Sequence, residues 1–473
     1  VRALRDHPAA PAPVSGGFGA SLVNSIATAK LGGRLNAENC GHGMSYSMEF
    51  PAARLTAQAA ASRRLTLANE APTARVELVD PEPAMSRMKP PARPADPRFS
   101  SGPTKKRPGW EVSCLANAPL GRTHRGGTPK ARLHEAIERT AAILEVPSGY
   151  TVAILPASDT GAMEGALWSM IGARPVDVFS CDEFGRRWTV DLRDELKPDG
   201  LSCYEAPFGA APDYSKADAA NNDLVFTWNA TSAGVRMPDA DWIPDDRKGV
   251  TICDATSAAF AMDLPWDKLD VTTFSWQKCM GGEAQHGIAV FSPKARERLR
   301  TFRPSWPVPR ILQLFEAGDD DAKLYEGSTI NTPSLLATED YLDALKWAAK
   351  EGGLSALIAR TEANAAALGD WVESCPWIDY LAEDPAIRST TSVTLKFCGS
   401  ELDGKSEEER WAVSRRMGAL LDREGAAYDV APHPKAPAGL RIWCGPTVDA
   451  DDVAALGPWL DWAYAEALEA EGV

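Results

Sequence analysis

The chain has 473 residues, is 44% hydrophobic and carries a formal net charge of −15. That length suits two or three domains, each with a real core. The acidity argues against a broad nucleic-acid-binding surface, which needs clustered Lys and Arg, but leaves room for a local basic pocket that takes a small anion. No window nears the roughly eighteen uninterrupted apolar residues of a membrane span, and no export signal opens the chain, so a cytoplasmic protein is expected. The nine cysteines show no C-x-x-C and no zinc-type spacing, so they read as reduced thiols, with no structural metal.

Residues 1–96 stand apart. They hold 11 Lys and Arg against 8 Asp and Glu, so the acidity lies wholly in the remainder. Rich in Ala, Pro, Ser and Arg, and ending in MSRMKPPARPADPR, this stretch is expected to be a mostly disordered extension without chemistry. A transit peptide would share its Arg and Ser, but its acidic residues count against one. A true start at Met85 or Met88 is the other reading.

From Phe99 the texture is that of an α/β enzyme. KARLHEAIERTAAILEV predicts an amphipathic helix ended by Pro147-Ser148-Gly149. YTVAILPAS predicts a strand, followed by Asp159-Thr160-Gly161 opening the helical run AMEGALWSMIG. The same strand–turn–helix rhythm runs through DLVFTWNATSAG, GVTICDATSAAF and DVTTFSWQKCMGG. It predicts a mostly parallel sheet with helices on both faces over residues 97–354, with ligands bound at the carboxyl ends of the strands. Residues 355–473 predict a smaller α+β domain: a long helix in LSALIARTEANAAALGDWVE, strand-like TTSVTLKF, helix-like EERWAVSRRMGALLDREG, the strand GLRIWCG and a closing helix from about Asp451.

Polar residues end three of the buried strands: Asn229 and Thr231 after DLVFTW, Asp254 after GVTIC, and Gln277-Lys278 after VTTFSW. A partly desolvated lysine is an amine that condenses with carbonyls. Pyridoxal phosphate uses such a lysine for its aldehyde, a carboxylate for its ring nitrogen and a phosphate cup. Lys278, Asp254 and the turn Ser158-Asp159-Thr160-Gly161 would supply these in turn, the last through backbone N–H groups at a helix start. Gly281 and Gly282 would keep the backbone clear of cofactor and substrate. Each feature has a plainer reading, as a solvated lysine or a helix cap; joint placement at successive strand ends is what lifts the set.

FSSGPTKKRPGW, GRTHRGG, LPASDTGAMEGALW, TWNATSAG, DATSAAF, FSWQKCMGGEAQHG, EGSTINTPS and APAGLRIWCG together carry a resemblance to the phosphoserine aminotransferases, fold-type I pyridoxal-phosphate enzymes, from about Phe99 to the C-terminus. The resemblance implies that Lys278 holds pyridoxal 5'-phosphate covalently, that Asp254 pairs with its ring nitrogen, and that Thr231 and Gln277 contact the ring. It implies that Ser158, Asp159 and Thr160 bind the phosphate, and that Asn331-Thr332 complete the phosphate site of the other subunit in a homodimer with shared active sites. His124-Arg125, His433 and Arg441 match residues that hold substrate anions. Two departures show: Phe184 stands where family members often stack a tryptophan on the ring, and His433 is followed by Pro434 and Lys435 where some members have an arginine.

The expected reaction is reversible amino transfer between L-glutamate and 3-phosphohydroxypyruvate, giving O-phospho-L-serine and 2-oxoglutarate; the resemblance adds 4-phosphohydroxy-L-threonine, of vitamin B6 synthesis, as a candidate second substrate. Rivals on the same scaffold are an alanine–glyoxylate aminotransferase and a cysteine desulfurase. From another class comes a non-catalytic nucleotide-binding α/β protein, against which stands the absence of G-x-G-x-x-G and of G-x-x-x-x-G-K-[ST].

Overall fold

The computed structural model of the protein describes residues 34–39, 44–49, 89–315 and 321–472. Strands β1 (Arg34–Asn39) and β2 (Met44–Glu49) pair antiparallel, Arg34 opposite Glu49. The rest of the extension up to residue 88, for which disorder is expected, lies outside the described residues. Residues 89–96, counted with it in the sequence, are tied down: Ala95 and Asp96 donate their backbone N–H groups to Asp452 Oδ1 at 2.6 and 3.3 Å, and Trp459 Nε1 donates to the Ala92 carbonyl at 2.6 Å.

The central sheet has seven strands: β3 (Thr151–Pro156), β4 (Val176–Ser180), β5 (Leu201–Glu205), β6 (Asp223–Thr227), β9 (Thr251–Asp254), β10 (Val271–Ser275) and β11 (His286–Phe291). Their spatial order is β3-β11-β10-β9-β6-β4-β5. β10, β9, β6, β4 and β5 pair parallel, and β11 runs antiparallel between β10 and β3. Between β6 and β9 lies a small antiparallel ribbon, β7 (Asn229–Ala230) with β8 (Val235–Arg236). The strands read as continuous apolar, β-branched runs because both faces are covered, as in VTTFS of β10, buried throughout.

Helix α1 (Gly127–Ile143) buries Leu133, Ala136 and Ile137 on one stripe. Helix α2 (Ser158–Met170) starts at the serine of the S-D-T-G turn, so that turn is its first turn rather than a preceding loop. Helix α3 (Glu183–Val190) is capped by Asp182, whose Oδ1 accepts from Gly185 N at 2.8 Å. Helix α4 (Pro293–Thr301) starts with proline behind a Ser292 cap, and α5 (Leu335–Glu351) ends at Gly352 in the left-handed conformation.

The C-terminal part has three antiparallel strands, β12 (Ile378–Tyr380), β13 (Ser392–Phe397) and β14 (Gly439–Trp443), in that order. Helices α6 (Leu354–Ser374), α7 (Glu407–Glu424) and α8 (Ala450–Glu471) accompany them. A Ser406–Glu409 capping box starts α7. Among the described residues no helix is long and apolar enough to cross a membrane, and no His, Cys, Asp and Glu cluster could hold a metal.

Candidate active site

The carboxyl ends of β6, β9 and β10 converge on a cavity of about 240 Å³. It gathers Ser158, Asp159, Thr160, Phe184, Thr231, Asp254, Gln277 and Lys278 from five separate stretches of sequence. Lys278, just past β10, is 9% exposed, and its Nζ donates to the Ser101 carbonyl at 2.5 Å. Burial, then repulsion from the Arg441 guanidinium, pushes this amine down to about 8, against the pull of Asp254. A substantial fraction of it is therefore neutral, the nucleophilic form, close to neutral pH.

Asp254 ends β9 with both oxygens engaged: Oδ2 accepts from Trp188 Nε1 at 3.0 Å and Oδ1 from Thr256 N at 3.0 Å. The Phe184 ring centroid lies 5.8 Å from Lys278 Nζ, so an aromatic ring borders the amine. Thr231 donates through Oγ1 to Ser257 Oγ at 2.8 Å. The Gln277 Oε1 is buried and, among the described residues, has no hydrogen-bond partner, so it is open to a ligand.

The segment Phe99–Thr104 crosses the mouth. Gly102 holds φ +148°, a backbone conformation that L side chains rarely adopt, and a Cβ there would stand 2.5 Å from Lys278 Nζ, which would have to shift. Thr104 pins it by donating N–H to the Gln277 carbonyl at 2.9 Å and Oγ1 to the Lys278 carbonyl at 2.6 Å. The role expected of Gly281 is corrected here. A Cβ there would meet the Lys105 carbonyl at 2.2 Å, and on Gly282 one would meet the Trp276 carbonyl at 3.1 Å, so these glycines make room for protein backbone rather than for ligand.

None of the six expected substrate and partner-site residues lines the cavity. Asn331, Thr332 and Arg125 are exposed and His124 is buried beside Arg125. Of the other two, His433 packs edge-on against Phe184 at 6.1 Å. Arg441, on β14, has its Nε buried without a partner among the described residues, and burial lowers the pKa of its guanidinium. Lys435 Nζ meets Glu183 Oε1 at 2.7 Å, bringing a cation next to α3. Sequence reasoning missed Asp182, Trp188 and Gly102. Trp188 follows Phe184 by four residues, one helical turn, and that spacing was the available signal.

No sequence-family profile matches the chain. A phosphoserine aminotransferase of Methanosarcina mazei is 48% identical over 377 residues, covering 80% of this chain and 99% of that protein. The chain belongs to the phosphoserine aminotransferase family. Among solved structures, the phosphoserine aminotransferase of Cytophaga hutchinsonii aligns with a TM-score of 0.65 at 22% identity, over 77% of this chain and 97% of its own. The pyridoxal-phosphate-bound enzyme of Trichomonas vaginalis aligns at 0.61 and 18%, over 77% and 99%. The fold is therefore fold-type I, as expected. The cavity suits the cofactor of a phosphoserine aminotransferase by its own chemistry: a buried amine, a carboxylate fixed by two donors, an aromatic face, and the first turn of α2, whose N–H groups have no partner within the helix.

Proposed function

We propose that the chain catalyses reversible amino transfer between L-glutamate and 3-phosphohydroxypyruvate, giving 2-oxoglutarate and O-phospho-L-serine, with pyridoxal 5'-phosphate held at Lys278. The observation that carries this reading is the buried Lys278 amine beside Asp254 in a chain 48% identical to a phosphoserine aminotransferase. Family membership does not favour the alanine–glyoxylate, desulfurase or nucleotide-binding alternatives.

The cofactor supplies an electron sink for the substrate α-carbon. The protein's own residues do the rest. Lys278, once released by the incoming amino acid, is placed to move a proton at that carbon. Asp254, held by Trp188 and Thr256, favours a protonated ring nitrogen, and Phe184 offers the ring a stacking face. Arg441 brings an unpaired donor for a substrate carboxylate or phosphate, with a forked geometry suited to either. Purified protein should show a yellow absorption band that L-glutamate and O-phospho-L-serine each bleach. Absence of the band after adding pyridoxal phosphate would remove this reading.

The depressed Lys278 amine gives a pH prediction. Only the neutral amine attacks an aldehyde, so the rate at which cofactor-free protein takes up pyridoxal phosphate should rise with pH and level off above about 8. A rate that is flat from neutral to mildly alkaline pH would place the uptake step elsewhere.

Lys435 takes the place of the missing arginine in this reading. Glu183 neutralises it at 2.7 Å, and a substrate phosphate would compete for the same ammonium. Lys435→Met should raise KM for O-phospho-L-serine about five- to tenfold, the effect of one partly screened charged contact. KM for L-glutamate should stay unchanged, and equal effects on both would count against a phosphate contact.

The homodimer belongs to the same proposal. Asn331 and Thr332 are exposed and away from this chain's own cavity, which supports their use in a second subunit's site. The eight described cysteines are free, which supports a reducing, cytoplasmic setting.

A further inference from the structure

Asp182 caps α3, yet it also borders the cavity and is fully buried. A buried carboxyl is tolerated where donors surround it, and three do so here. Oδ1 accepts from Gly185 N at 2.8 Å; Oδ2 accepts from Ser232 N at 3.1 Å and from Ser232 Oγ at 3.0 Å. Ser232 is buried too, and its hydroxyl oxygen accepts from Glu183 N at 3.1 Å. Asp182 and Ser232 therefore bind each other twice, and between them they take two N–H groups of the first turn of α3. Burial raises the Asp182 carboxyl against the pull of the Gly185 and Ser232 donors. The Glu183 side chain is turned to Lys435 and Arg187, so only its backbone belongs to this lock.

A helix cap needs the bond to Gly185 alone; the two bonds to Ser232 do something further. They join the start of α3 to the turn after β7, 50 positions along the chain. Phe184 follows Asp182 by two residues and Thr231 directly precedes Ser232, and both line the cavity. One helical turn past Phe184 comes Trp188, which donates to Asp254 Oδ2 at 3.0 Å. Gly185 fits the same close approach, since a Cβ on it would stand 3.2 Å from Ser180 Cβ at the end of β4.

We propose that Asp182 is a positioning residue that, through Ser232, fixes the gap between Phe184 and Thr231 and so sets the slot that receives the cofactor ring. The proposal rests on the cofactor reading for what fills the slot, and on the hydrogen bonds alone for the lock.

Pyridoxamine phosphate has no aldehyde, so its binding to the cofactor-free full chain reads the slot without the Lys278 link. Its Kd is measured for Ser232→Ala, for Phe184→Ala and for the two combined, and for Asp182→Asn, which keeps the cap on Gly185 but sets an amide N–H against Ser232 N–H. Each single change should weaken binding about tenfold, the scale of one buried hydrogen-bonding group or one aromatic face. A lock that acts by placing Phe184 has little left to place once the ring is gone, so the combined variant should fall well short of the roughly hundredfold product. Separate effects that multiply in full, or a Ser232→Ala protein that binds as the wild type does, overturn the proposal. Ser232→Cys, of similar shape and with weaker bonds, carries the same cycle if the alanine variant shows no cooperative urea transition. Backbone hydrogen exchange without cofactor gives an independent reading: Ser232→Ala should speed exchange at residues 183–188 and leave the central strands as they are. Wild-type protein that binds no pyridoxamine phosphate rejects the cofactor reading; faster exchange at 183–188 then still sustains the lock, and unchanged exchange overturns it.

Discussion

Replacing Lys278 by Ala abolishes amino transfer and leaves a folded protein. The amine is the group that both carries the cofactor and moves the proton, and no second lysine lines the cavity. Loss of a positioned proton-transfer group alone is worth about 10²- to 10⁴-fold, and loss of the covalent hold adds to it, so turnover should fall by roughly 10⁴-fold or more. Stability should hardly change, because the hydrogen bond lost is one donated by a buried amine to the Ser101 carbonyl, and burying that amine is itself unfavourable. The absorption band should shift with the lost covalent link. Turnover within tenfold of wild type would mean that another group does the chemistry.

Lys105→Met, by contrast, should unfold the protein far more easily while touching no substrate. The Lys105 side chain is 3% exposed, and its ammonium sits 3.4 Å from Asp96 Oδ2, 3.4 Å from Asp449 Oδ2 and 3.6 Å from Asp452 Oδ2. Asp96 keeps Arg98 at 2.6 Å and Asp449 keeps Arg360 at 2.7 Å, so removing Lys105 orphans chiefly the buried Asp452 carboxylate, a loss of about 3 kcal/mol, the low end of the usual cost of orphaning a buried charge. The urea midpoint reads it directly. An unchanged midpoint would show that the carboxylates find water instead. Next in sequence, Lys106 meets Asp340 and Glu283, both at 2.7 Å, and Arg107 meets Asp343 at 2.7 Å. Each residue of the basic run K-K-R is thus engaged by carboxylates of the same chain.

The strands and helices were legible because burial writes itself into composition: DLVFT and VTTFS are apolar and β-branched since helices cover both faces. Strand direction is not written there, and HGIAVF of β11 gives no sign that it runs against its neighbours. The site was legible where chemistry and spacing coincide, at Lys278, Asp254 and the α2 turn. It was illegible where the constraint comes from far along the chain. Gly281 is set by the Lys105 carbonyl and Gly102 by the Lys278 amine, contacts that no local pattern announces.

The stretch from Pro97 to Thr104 is fastened at both ends to different layers. Tyr428 donates its N–H to the Pro97 carbonyl at 2.7 Å and Trp443 to the Phe99 carbonyl at 3.1 Å, both in the C-terminal part, while Thr104 is bonded to the strand-end loop of Gln277 and Lys278. Between these anchors lies the carbonyl that holds the lysine amine. The stretch is thus a short tether with the reactive group at its middle. A shift of the Tyr428 and Trp443 anchors relative to the loop of Gln277 and Lys278 would slacken or tighten it, and with it the contact that holds the lysine amine.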